Sequence, residues 1–168
     1  MSYSPASPFE VAPPERISRR DWIASAIVAV GAGTIGRSAM AMRAAPAIGI
    51  LVYASPSCGC CRAWMDYLER NGFTVARQFV DDVTPIKKKR NVPEKLWSCH
   101  TAIVGGYTIE GHVPADLIHT VLAKKPALAG LAAPGMPNGA PGMEGPVKDR
   151  YDVIAFTSEG KTSIFASR

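Results

Sequence analysis

The sequence predicts an α/β domain: a central mixed sheet flanked by helices, extended by a long loop rich in Pro, Gly and Met and by a closing hairpin. Three observations carry this. Short apolar runs alternate with helix-period segments in the order β-α-β-α-β-β-α. A tight Ser55-Pro56-Ser57 break sets a dense run of thiols, Cys58-Gly59-Cys60-Cys61, at the first strand-to-helix junction. Beyond the last helix the composition shifts to Pro, Gly and Ala before two further strand-like runs. With 168 residues and 47% hydrophobic content, the chain is long and apolar enough for one domain with a real core plus a targeting segment.

Taken in order, Ile48 to Ala54 is apolar and reads as a buried strand. Cys58 to Asn71 carries Trp64, Met65 and Leu68 at helical spacing, with Asp66, Glu69 and Arg70 toward solvent and Gly72 as the C-terminal stop. Phe73 to Val80 suits a second strand. Thr84-Pro85 opens a short helix through the basic run Lys87-Lys88-Lys89-Arg90, which reads as a solvated helix face, and Asn91-Val92-Pro93 closes it. Thr101 to Val104 and Tyr107 to Ile109 form a hairpin around Gly105-Gly106. Ala115 to Lys125 places Leu117, Ile118, Val121 and Leu122 on one helix face, and His119 within it reads as structural. Pro126 to Pro146 contains the near-repeat Pro134-Gly135-Met136-Pro137 and Pro141-Gly142-Met143-Glu144, and reads as neither helix nor strand. So long a loop between ordered pieces is a functional candidate on length alone. Tyr151 to Phe156 and Thr162 to Phe165, joined at Glu159-Gly160, complete a domain spanning residues 47–168.

The first 41 residues read as an export signal. Arg19-Arg20 precedes a moderately apolar run, Trp22 to Ile35, and Ala39-Met40-Ala41 offers small residues at cleavage spacing, so cleavage is expected near Ala41. The Arg pair resembles the twin-arginine type, with a general secretory signal and a retained N-terminal anchor as the alternatives. The apolar run is too short and too rich in small residues for a stable membrane span. The expected location is the periplasm, where exposed thiols oxidise unless recycled or held by a metal. Four of the 19 Lys/Arg and three of the 14 Asp/Glu precede Met42, so the remainder carries +4. That charge is too small to argue for nucleic acid as a partner.

The chain has four cysteines. Three crowd the Cys58-Gly59-Cys60-Cys61 turn and the fourth, Cys99, is followed at once by His100. Thiols at a helix N-terminus are biased toward thiolate, the form that both attacks disulfides and binds metal. Soft-metal binding and thiol–disulfide chemistry are therefore both open. The element order and the Cys-x-x-Cys position resemble the thioredoxin-like fold. Within that resemblance Cys60 replaces the motif's usual proline, and Ser98-Cys99-His100-Thr101 stands where a cis-proline loop packs on the Cys pair. Cys99 and His100 would then face the thiol turn. Thiolate and imidazole together suit Cu(I), Zn(II) or iron–sulfur chemistry. Zinc in a closed tetrahedral site fits less well, because adjacent Cys60 and Cys61 share one tetrahedron poorly but can bridge several ions. Met136 and Met143, on Pro/Gly backbone, add thioether donors that favour copper, although a Met is also an ordinary gap-filling hydrophobe. His112, in Gly111-His112-Val113-Pro114, reads equally as a ligand and as a plain loop histidine.

Four separated motifs now stand in order: Ser55-Pro56-Ser57-Cys58-Gly59-Cys60-Cys61 with Trp64; Ser98-Cys99-His100-Thr101; Glu110-Gly111-His112-Val113-Pro114; and Gly130-Leu131 through Met136 to Met143-Glu144. Together they resemble a family of small exported metal-binding proteins that includes the CopG-type copper-resistance proteins, over about residues 47–156. The resemblance implies a thioredoxin-like fold, copper handling outside the cytoplasm and cysteine-bridged copper. The expectation is a periplasmic protein of copper resistance or homeostasis that binds Cu(I), in one or several ions. Its metal donors would be Cys58, Cys60, Cys61, Cys99, His100, His112, Met136 and Met143, and its partners copper ions and other periplasmic copper-handling proteins. Two alternatives stay open. One is a thiol–disulfide or copper oxidoreductase with Cys58 as nucleophile and Cys61 as resolving thiol. The other is a structural domain closed by zinc or by Cys58–Cys61 and Cys60–Cys99 disulfides.

Overall fold

A computed structural model of the chain describes residues 47–168. The expected export signal over residues 1–41, with its cleavage site, lies outside the described residues.

The first strand, β1 (Ile48–Ala54), buries Ile50, Val52 and Ala54 at every second position, as strand periodicity requires. It leads through Ser55-Pro56-Ser57 into α1 (Gly59–Arg70), whose buried residues Cys61, Trp64, Met65 and Leu68 recur at the spacing of one helix face. The helix stops at Asn71, and Gly72 follows at φ +87°, a left-handed conformation natural to glycine. Next come β2 (Phe73–Phe79), the short helix α2 (Thr84–Lys89) and a single 3-10 turn at Glu94–Leu96. Strands β3 (His100–Val104) and β4 (Tyr107–Gly111) form the expected hairpin, with Gly105 and Gly106 at φ +54° and +87°. The last helix, α3 (Ala115–Lys124), packs Leu117, Ile118 and Val121 into the core. Strands β5 (Gly130–Ala133), β6 (Asp152–Phe156) and β7 (Thr162–Ser167) complete the domain.

The seven strands of the described residues join one mixed sheet in the order β2-β1-β3-β4-β5-β6-β7. β1 runs parallel to β2 and antiparallel to β3, and β4 runs parallel to β5; the other neighbours are antiparallel. The α/β class and the mixed sheet flanked by helices are therefore as expected. The principal core joins Ile50, Val52 and Ala102 of the sheet to Trp64, Met65 and Leu68 of α1 and Ile118 and Val121 of α3. Among the described residues no helix is long and apolar enough to cross a membrane.

Two expectations are corrected. The segment 126–146 is not without regular structure, because Gly130–Ala133 forms β5 in the sheet interior, paired with β4 on one side and β6 on the other. Small side chains make this possible: a Cβ on Gly130 would lie 2.0 Å from the Thr108 carbonyl oxygen and 2.6 Å from the Phe156 ring. The basic run is not a uniformly solvated face either. Lys87 is only 3% exposed and ion-pairs with buried Glu110, while Arg90 donates to Thr108 Oγ1 and the Gly106 carbonyl. Lys87 is the one buried position of this six-residue helix, and its ammonium meets a buried carboxylate from β4.

Candidate metal centre

The centre is built where the start of α1 meets the start of β3 and the end of β4. Cys58 is the N-cap of α1, and its Sγ accepts from the Cys61 amide at 3.3 Å. This places Cys60 and Cys61 in the first turn of the helix, with Cys60 half-buried and Cys61 buried. Cys58 and Cys61 are joined as a disulfide, while Cys60 and Cys99 are free, so the Cys60–Cys99 bridge of the structural alternative is not formed. Cys60 Sγ lies 3.5 Å from Cys58 Sγ.

Cys99 faces this turn from the residue before β3. The four sulfurs of Cys58, Cys60, Cys61 and Cys99 all lie within 4.8 Å of one another. On its other side Cys99 Sγ is 3.2 Å from His112 Nε2 and 3.3 Å from His100 Nδ1, and these three atoms form a second compact donor group. Cys99 thus belongs to both groups. The close approach depends on Gly111, at φ +70°, where a Cβ would sit 2.6 Å from Ser98 Oγ and 2.7 Å from the Ala133 carbonyl oxygen. Only a glycine lets the end of β4 lie that near the segment bearing Cys99.

The histidines are oriented from behind. His112 Nδ1 lies 2.8 Å from the Pro141 carbonyl oxygen, an acceptor only, so Nδ1 carries the proton and Nε2 presents its lone pair to Cys99. The Pro/Gly loop thereby sets the tautomer of a donor that directly follows β4. His100 is fully buried, packed against Trp64 with ring centroids 4.3 Å apart at a 36° tilt and met edge-on by His112 at 5.0 Å, and its Nε2 has no hydrogen-bond partner. Trp64 is itself tied down by its Nε1 donating to the Val113 carbonyl at 3.0 Å.

Burial dominates the electrostatics. It holds His100 well below its ordinary pKa, helped by the repulsion that protonating both neighbouring imidazoles would bring and by the Lys87 charge, and lowers that of His112. Both rings are therefore neutral and free to donate a lone pair at neutral pH. Burial, and then the adjacent Cys60, push the Cys99 thiol up to about 12. Without a cation to offset it a thiolate there is costly, and a bound metal ion would supply that offset.

Met136 and Met143 sit on the loop that covers this region. Met136 is 47% exposed and lines, with Trp97, Ser98 and Cys99, an open groove of about 400 Å³. Met143 is half-buried, and its backbone bonds to Gly139 and Ala140 close a tight turn. Its neighbour Gly142 lies against the first turn of α1, where a Cβ would be 2.6 Å from the Trp64 amide nitrogen and 2.9 Å from the Cys60 carbonyl oxygen. The loop is thus pinned at the thiol turn. His119 lies elsewhere, on the Asn71 carbonyl and the Phe73 ring. The buried pair Lys87–Glu110 is not legible in the sequence, where the basic run reads as solvated and the strand stops at Ile109; β4 in fact runs on through Glu110 to Gly111.

A family model described as a protein of unknown function, DUF411, matches residues 96–143, a stretch that holds Cys99, His100, His112 and both loop methionines. No curated protein matches the sequence. Among solved structures, two forms of "Copper resistance protein copG" match at 40% sequence identity and a TM-score of 0.69. Each match covers 72% of this chain, and 98% and 97% of the respective structures. At that identity and coverage, the chain belongs to the family of the CopG copper-resistance proteins.

Proposed function

We propose that this protein binds Cu(I) outside the cytoplasm as part of copper resistance, and that copper is its cargo. One observation carries the reading: four sulfurs and two lone-pair-bearing imidazoles converge, with Cys99 shared between the sulfur group and the nitrogen group. A soft, sulfur-rich donor set with no carboxylate among its members selects Cu(I) over hard cations. More donors are present than one tetrahedral ion can use, which favours several bridged copper ions over a single structural zinc. Cys58, Cys60, Cys61 and Cys99 act as thiolate ligands, with His100 and His112 beside them and Met136 and Met143 as supplementary thioether donors from the loop. The strand order β2-β1-β3-β4 with the thiol turn after β1 supports a thioredoxin-like core, extended by β5, β6 and β7. The leader at Arg19-Arg20 supports delivery to the periplasm, where other copper-handling proteins would exchange the metal.

Anaerobic titration of the reduced protein with Cu(I) against a competing chelator tests this. More than one equivalent retained is the expected result, and Cys60→Ser should lower the stoichiometry while the circular dichroism spectrum stays unchanged. Retention of one equivalent or less would sink the multi-copper reading.

The Cys58–Cys61 disulfide favours a second, compatible reading, in which the pair exchanges electrons with the metal. Two Cu(I) ions would give one electron each to the disulfide, leaving two thiolates and two Cu(II) ions; the reverse oxidises the dithiol. Rapid insulin reduction by metal-free protein would instead favour a general thiol oxidoreductase.

A further inference from the structure

The buried ion pair beneath the thiol segment has no role in ligation, and burying it demands an explanation. Glu110 is fully buried and Lys87 is 3% exposed. Replacing such a pair by apolar side chains of similar size is often neutral or stabilising, so stability alone is a weak reason for its presence. Where its hydrogen bonds land is more informative. Glu110 Oε1 accepts from Lys87 Nζ at 2.5 Å and from the Ser98 amide at 2.6 Å, while Oε2 accepts from Thr101 Oγ1 at 2.8 Å. Lys87 Nζ in turn donates to Thr101 Oγ1 at 3.0 Å, closing the network. Ser98 and Thr101 are the residues on either side of Cys99-His100. A single carboxylate therefore grips both ends of the dipeptide that carries two of the donors. Glu110 also stands two residues before His112 on the same chain segment, so the grip links the Cys99 side of the centre to the His112 side.

We propose that Glu110 and Lys87 are positioning residues for the copper centre: they clamp Ser98 and Thr101 so that Cys99 and His100 stand in fixed register with His112 and the thiol turn. This rests on the copper reading above. The clamp holds the segment before any metal arrives, so that binding Cu(I) need not order it. Residues that orient metal ligands from behind typically govern affinity by about 10- to 100-fold.

The test uses the full chain with Lys87→Met and Glu110→Leu combined, an apolar pair of similar volume that keeps the interior filled without the clamp. Thermal unfolding, Ser98 amide hydrogen exchange in the metal-free protein and Cu(I) affinity by chelator competition are measured side by side. The expected result is a folded protein whose Ser98 amide exchanges at least about tenfold faster than in the wild type and whose Cu(I) affinity falls about 10- to 100-fold. A folded double variant with wild-type exchange and wild-type affinity overturns the proposal. Should that variant fail to fold, Thr101→Val decides, since it keeps the shape and the ion pair but removes one grip; unchanged Cu(I) affinity there overturns the proposal equally. A wild-type protein that holds no Cu(I) overturns the copper reading by itself. The clamp is then decided by Ser98 amide exchange, which needs no metal.

Discussion

His112 is aimed by a residue 29 positions further along the chain: the Pro141 carbonyl takes the Nδ1 proton and leaves Nε2 facing Cys99. That carbonyl is in place because the next residue has no side chain. Gly142, at φ +79°, lies against the backbone of Cys60 and Trp64, and a Cβ there would be 2.6 Å from the Trp64 amide nitrogen and 3.0 Å from its Cα. Backbone atoms of a helix cannot yield as the tip of a flexible side chain can. Gly142→Ala should therefore lift the loop off α1, costing about 1–3 kcal/mol from the left-handed strain alone, and should release the His112 tautomer with it. Urea denaturation measures the first effect. The ¹⁵N chemical shifts of the His112 ring report the second, and an unchanged Nδ1–H signal would refute the link between loop and ligand.

At the scale of elements, legibility in the sequence followed side-chain size. β1, β3 and β4 carry Val, Ile and Tyr and showed as strands at once, and α1 showed through its Trp64, Met65 and Leu68 face. β5 did not, because Gly130-Leu131-Ala132-Ala133 has the composition of the surrounding loop and its place in the sheet is set by tertiary fit. All four of its residues are buried, and at Gly130 the Thr108 carbonyl and the Phe156 ring leave no room for a side chain. Gly130→Ala tests this directly. The added methyl would meet the Thr108 carbonyl at 2.0 Å and the Phe156 ring at 2.6 Å, so β4 and β5 must part. Overpacking of this kind typically costs about 1–3 kcal/mol, and contact with rigid backbone puts this substitution at the upper end. A midpoint of urea denaturation equal to the wild type's would show that β5 is not the close-fitting central strand described. The burial of Lys87 escaped the sequence for a related reason: a run of four basic residues gives no sign which of them faces a carboxylate from another strand.

For the molecule as a whole, the sequence disclosed which donors exist but not their redox state. The four cysteines and the Cys99-His100 pair were visible as a cluster in waiting, and a Cys58–Cys61 bridge was one of the open alternatives; that this pair is bonded while Cys60 and Cys99 are free is seen only in the structure. On the proposed copper reading, that distinction would set how much copper the protein can hold. The disulfide spans a sequence separation of only three residues, so the chain entropy it removes from the unfolded state is small, about 2 kcal/mol at most by loop-closure reasoning. A bridge with so little to offer stability sits instead across two of the four sulfurs of the proposed centre. Reduction should therefore change binding more than folding. Parallel anaerobic titrations of the oxidised and reduced protein are expected to show more Cu(I) retained by the reduced form, with an unfolding free energy lower by no more than about 2 kcal/mol. Cys58→Ser combined with Cys61→Ser should match the oxidised protein in copper stoichiometry under reducing conditions. Equal stoichiometry for oxidised, reduced and doubly substituted protein would remove Cys58 and Cys61 from the centre and leave Cys60, Cys99 and the two histidines to hold the metal.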